Sequence, residues 1–173
     1  MQYQSSGYLV VQSKAGGRYC GVDRSTGIVP DGVDWLEQEQ YDLDECALGS
    51  REQAESYRDH CRNAGIETHL LYCRCTAPGT QVPAPPKEQL TFCGWDYAYP
   101  NGDYFSALCN EIIAGASALA ERWQPRLNAY GLLSSEEDVA AFVRERADFA
   151  QTLGRDSMML EKGFFAVFAV YML

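Results

Sequence analysis

Apolar and polar positions mark out most of the elements of this chain. Tyr8-Leu9-Val10-Val11 and Arg18-Tyr19-Cys20-Gly21-Val22 are two short β-forming runs on either side of Gly16-Gly17, a pattern that predicts a hairpin. Ser50 opens a helix. Gln53 follows it at the capping-box spacing, Ala54, Tyr57, Cys61 and Ala64 form one apolar face, and Gly65 stands where a C-terminal cap belongs. From Ile66 to Cys75 the residues are β-branched and apolar, which predicts a strand. A helix–Gly–strand succession of this kind belongs to an α/β or α+β unit.

Residues 76–91, TAPGTQVPAPPKEQLT, hold four of the seven prolines and predict a stiff, extended connection. Beyond it lies CGWDYAYPNGDYF, dense in aromatic and turn residues and read as a loop. Asp103 is placed to cap a helix with the stripe Phe105, Leu108, Cys109, Ile112 and Ile113. Gly115 interrupts it, Leu119, Ala120 and Trp123 resume the pattern, and Pro125 forces a kink or restart. A further helix is expected from about Glu136 to Leu153, capped by Ser134 or Ser135, with Val139, Phe142, Val143, Ala150 and Leu153 inward and Gly154 at its end. The last strand, about 163–172, is apolar on both faces, so it should lie inside a sheet.

These elements predict one globular domain over residues 1–173, α/β or α+β, with a central sheet, helices packed on it and the apolar C-terminal strand inside. A chain of 173 residues is large enough to bury a core without metals or disulfides. The odd count of seven cysteines is not a disulfide framework; core thiols and a reducing, cytoplasmic home are expected. MQYQSSGYLVVQ lacks a basic region before a long apolar one, so no signal peptide is expected. The run FFAVFAVYML has ten residues, about half of a membrane span.

Charge changes the picture. Residues 31–45, DGVDWLEQEQYDLDE, carry seven carboxylates and no Lys or Arg: Asp31, Asp34, Glu37, Glu39, Asp42, Asp44 and Glu45. The chain's net charge is −10, so this segment supplies −7 and the remainder −3. Folding gives no reason to accept such self-repulsion, and Trp35, Leu36, Tyr41 and Leu43 within it have no use in a solvated tail. The expected role is a surface that meets a basic partner, with a purely solvated charged face as the bland alternative. A pI near 4.6 argues against a phosphate-facing surface, hence against nucleic acid, and equally disfavours anionic membranes.

Candidate chemistry is sparse. Asp42, Asp44 and Glu45 begin like a calcium loop, but Ala47 replaces the required Gly and Gln53 the required Glu. Cys73 and Cys75 sit on one face of a strand near His60, Cys61 and His69, without the paired spacing of structural zinc; core thiols fit better. His60 and His69 could act as acid–base groups, yet no nucleophile motif accompanies them, and there is no phosphate loop. No catalytic residue, metal or cofactor is expected.

Trp95, Asp96, Tyr97, Tyr99, Asn101, Asp103 and Tyr104 form an aromatic–carboxylate mixture suited to a protein contact, a small-molecule pocket or a structural corner. The stretch GWDYAYPNGDYFSALCNEI, in an acidic chain of this character, resembles the immunity proteins of bacterial polymorphic-toxin, contact-dependent and type VI secretion systems. That resemblance implies a small cytoplasmic protein that binds a cognate toxin tightly and blocks it. Those families share no single fold or contact set, so they carry over no residue. The expected partner-binding residues come from the pattern itself: Asp31, Asp34, Trp35, Glu37, Glu39, Tyr41, Asp42, Asp44, Glu45, Trp95, Asp96, Tyr97 and Tyr99. The competing expectation is a small enzyme or ligand-binding protein using the loop 94–104.

Overall fold

The computed structural model describes residues 6–14, 18–21, 50–63, 65–76, 83–98, 118–152 and 166–173. Strands β1 (Ser6–Lys14), β2 (Arg18–Gly21), β3 (Thr68–Cys75), β4 (Thr91–Ala98) and β5 (Ala166–Met172) make one sheet in the order β2-β1-β3-β5-β4. Every pairing is antiparallel, which makes the fold α+β rather than parallel α/β. The expected hairpin is present, with Val11–Lys14 of β1 paired to β2. As expected, the C-terminal strand is interior, between β3 and β4.

Helix α1 (Arg51–Asn63) starts and stops on local signals. The Gln53 N–H donates to Ser50 Oγ at 3.1 Å. At the other end Gly65 adopts φ +84°, its N–H donates to the Arg62 carbonyl, and the Ile66 N–H donates to the Cys61 carbonyl. That pair of bonds is a Schellman cap, and Ile66 packs against the cluster containing Cys61. Ala54, Tyr57 and Cys61 of α1 then bury against Tyr8, Val10, Leu70 and Tyr72. Alternation along β1 and β3 sends their neighbours Leu9, Val11, Leu71 and Cys73 into a second, larger cluster.

The larger cluster gathers Phe168 and Val170 of β5 with Leu119 and Trp123 of α2 (Ala118–Trp123) and Val139 and Phe142 of α3 (Glu136–Thr152). Pro125 stops α2, and the chain turns through a 3₁₀ segment, Gln124–Arg126. Ser135 caps α3: its Oγ accepts the Asp138 N–H at 3.0 Å, and its hydroxyl donates to the Asp138 carboxylate. The Trp123 ring meets Phe142 edge-on at 5.3 Å, while its indole N–H donates to Glu145, which also pairs with Arg122. Arg126 lies over the same indole at 4.5 Å. These contacts fix α2 against α3.

One expectation needs correcting. Thr91–Ala98, read as the end of a connection and the start of a loop, is a strand; of the connection, Thr76 and residues 83–90 are described outside it, with a 3₁₀ turn at Lys87–Gln89. The acidic segment 31–45, the helix expected after Asp103 with its Gly115 break, and Leu153 with Gly154 lie outside the described residues. Among the described residues no helix is long and apolar enough to cross a membrane.

Candidate functional site

Strand β4 is irregular, and its irregularity builds the site. The register slips between Phe92 and Gly94, leaving Cys93 as an extra residue opposite β5. Gly94 takes φ +146°, and a methyl group there would stand 2.7 Å from Asn128 Nδ2 and 2.9 Å from both Leu132 Cβ and the Leu133 carbonyl. Only glycine lets the 128–133 segment approach this closely. Asn128 Nδ2 donates to the Cys93 carbonyl at 2.7 Å, while its Oδ1 accepts the Tyr130 and Leu132 N–H groups. Trp95 exchanges two backbone hydrogen bonds with Leu133. The Tyr97 N–H donates to the Asp96 carboxylate at 2.9 Å.

On the sheet, directly opposed residues share a face. Register therefore aligns Tyr8, Tyr72, Tyr171 and Phe92 as one row across β1, β3, β5 and β4. Ring contacts run along it: Tyr8–Tyr72 at 5.3 Å, Tyr72–Tyr171 at 6.4 Å and Phe92–Tyr171 at 5.5 Å. The neighbouring row holds Arg74, Ala169 and Trp95, and the Trp95 ring meets Phe92 edge-on at 5.7 Å. Helix α1 covers the Tyr8 and Tyr72 end of the first row. The far end emerges: Phe92 is 47% exposed, Tyr171 and Trp95 are half-buried, and Arg74 is exposed. Tyr8 under the helix donates its hydroxyl to the Pro83 carbonyl, and burial, helped by the neighbouring Tyr72 phenol, raises its pKa.

Of the expected binding residues, Trp95 belongs to this face. Asp96 and Tyr97 do not. They are 3% and 0% exposed, Tyr97 with its ring 5.0 Å from Phe142, so both are interior groups and the expectation of a partner contact is corrected. Asp96 instead satisfies backbone at the sheet margin. Gly94–Ala98 of the expected pocket loop 94–104 are strand; Tyr99 and the rest of that loop, like Asp31, Asp34, Trp35, Glu37, Glu39, Tyr41, Asp42, Asp44 and Glu45, lie outside the described residues. Phe92, Tyr171 and Arg74 were not anticipated. The signal for Arg74 was present in LLYCRC, where one guanidinium interrupts an otherwise apolar run.

Cys61, Cys73, Cys75 and Cys93 are buried free thiols, as expected for core cysteines. Burial raises the pKa of Cys61, Cys73 and Cys93; for Cys73 the nearby Asp96 and Cys93 add to the effect. Thiols held neutral in the fold stabilise it fully below the ordinary thiol pKa of about 8.5, and that contribution is lost as pH rises toward the folded values, because the unfolded chain ionises first. The urea midpoint is therefore expected to be lower at pH 10 than at pH 7. Alkylation of the native protein should spare these four cysteines, and denaturation without reductant should expose all seven to the reagent. A reproducible intramolecular disulfide by mass spectrometry would overturn the thiol assignment. His60 and His69 are half-buried, and among the described residues no three His, Cys, Asp or Glu side chains are grouped to hold a metal ion.

Comparison of the chain with protein-family models, with curated proteins and with solved structures finds no match.

Proposed function

We propose that this chain is a protein-binding module of the immunity type, a cytoplasmic partner that neutralises a basic toxin by tight association. The observation that carries the binding role is the exposed end of the sheet face, where Phe92, Trp95, Tyr171 and Arg74 stand together. Aromatic rings and Arg are the residue types that dominate binding energy, because they bury large area at low entropic cost and Arg adds directed hydrogen bonds. Phe92 does not stand alone, since the rings of Trp95 and Tyr171 adjoin it, and contiguous exposed apolar groups mark binding surfaces. The basic character of the partner rests on the acidic run, and the immunity reading rests on that run and the resemblance described above.

The two features have separable kinetic signatures. Charges at 31–45 steer the encounter through a screened long-range potential, whereas rings at the contact slow escape. With the partner recovered by pull-down from the source cell, neutralising Asp34, Glu37, Asp42 and Asp44 to Asn or Gln should slow association and remove its salt dependence. Phe92→Ala or Trp95→Ala should instead raise the dissociation rate, by the equivalent of about 2 kcal/mol for a hot spot. An on-rate indifferent to salt and to these four carboxylates would reduce the acidic run to a solvated face. A dissociation rate unchanged in both ring variants would remove this sheet face from the interface.

A further inference from the structure

Arg74 is the odd group on the face just described. It sits in the middle strand of the sheet, exposed, and among the described residues it has no hydrogen-bond or ion-pair partner. Its neighbours at the emergent end of the face are the rings of Phe92, Trp95 and Tyr171, and the chain as a whole is strongly acidic. Several other arginines in the described structure are engaged, Arg51 with Glu55 and Gln89, Arg58 with Asp59, Arg62 with the Thr68 carbonyl and Arg122 with Glu145, while Arg144, exposed on α3, lies away from the sheet face. Register puts Arg74 two strands from Trp95, about 10 Å at ordinary strand spacing, with only the methyl group of Ala169 between them. Ala169 itself is buried, so the exposed Arg74 and the half-buried Trp95 flank a covered position on the sheet.

We infer that Arg74 is the specificity-determining contact of this face and receives a carboxylate of the protein partner, carried on a segment whose adjacent apolar side chains pack on Phe92 and Trp95. The inference rests on the proposed binding function and names the chemistry of its docking segment. Charge complementarity is the argument. A guanidinium recognises a carboxylate through a planar two-pronged hydrogen bond, and rings beside it exclude water from that bond. A basic partner attracted by the global field must still choose one orientation. A single reversed charge inside the aromatic patch supplies that choice, since a lysine or arginine placed opposite Arg74 would be repelled.

The test uses the full chain and two capped peptides, acetyl-Leu-Asp-Leu-amide and acetyl-Leu-Asn-Leu-amide, titrated in the millimolar range against ¹⁵N-labelled protein. The Asp peptide is expected to shift the Arg74 Nε–H and the Trp95 indole N–H, the latter assigned with a Trp95→Phe variant. The Asn peptide should bind at least about threefold more weakly, the scale of an exposed ion pair. Arg74→Gln should erase the difference between peptides, and Arg74→Lys should keep only part of it because the two-pronged geometry is lost. Equal affinities, shifts that survive in Arg74→Gln, or no shift at either group would overturn the inference. The wider reading fails separately. An Asp preference at Arg74 without any recoverable partner sinks the proposed function alone, whereas a recovered partner whose dissociation ignores Arg74→Gln sinks the Arg74 contact alone.

Discussion

Gly94→Ala is expected to destabilise the protein by about 3 kcal/mol or more, combining a side chain forced into a positive-φ conformation with overpacking against backbone. The methyl group would meet Asn128 Nδ2, Leu132 Cβ and the Leu133 carbonyl, each at 2.9 Å or less. None can retreat cheaply. Asn128 holds Cys93, Tyr130 and Leu132 at once, and Leu133 is paired to Trp95. Gly65 is the control: its φ is also positive, at +84°, but an added Cβ there meets nothing within 4 Å. Gly65→Ala should therefore cost only about 1–2 kcal/mol, the strain of the left-handed conformation alone. Urea denaturation of the two variants checks this, and equal losses would mean that close packing at Gly94 contributes nothing.

Removal of β5 has the largest expected effect. Without residues 166–173, β3 loses its pairing from Leu71 to Cys75 and β4 loses every pairing to the rest of the sheet that the ladder supplies. The larger core loses Phe168 and Val170 together. Against a typical total stability of about 5–15 kcal/mol, such a loss leaves no folded state. The truncated chain should be insoluble, or unfolded by circular dichroism. Val170→Asp keeps the chain length and puts a carboxylate at a position with 0% exposure, and it should also unfold the protein. A soluble, folded truncation would show that β5 is peripheral.

What was legible in the sequence was local. The Ser50 and Ser135 caps, the Gly65 stop, the Pro125 break and the doubly apolar last strand are decided by neighbours a few residues apart, and each stands where the pattern placed it. Strand β4 was not legible, because Gly94 and the bulge at Cys93 break the alternation and mimic a turn. The candidate face was less legible still. Residues 8, 72, 92 and 171 form a row only after four strands have found their register, and nothing near Phe92 in the chain announces Tyr171. Asp96 and Tyr97 read as surface residues for the same reason, since the core that buries Tyr97 includes Phe142 of α3.

The margin of β4 has a consequence for how any other protein can take hold of this one. A bare outer strand invites a visiting strand to extend the sheet, a mode whose affinity comes from backbone hydrogen bonds. Here the Cys93 carbonyl is occupied by Asn128, both Trp95 backbone groups by Leu133, and the Tyr97 N–H by Asp96. Strand addition along that stretch, whether by a partner, a swapped copy or a growing fibril, finds its hydrogen bonds already spent. On the proposed reading, recognition beside it would fall to the side chains of the sheet face, where one residue exchanged for another would change who is bound.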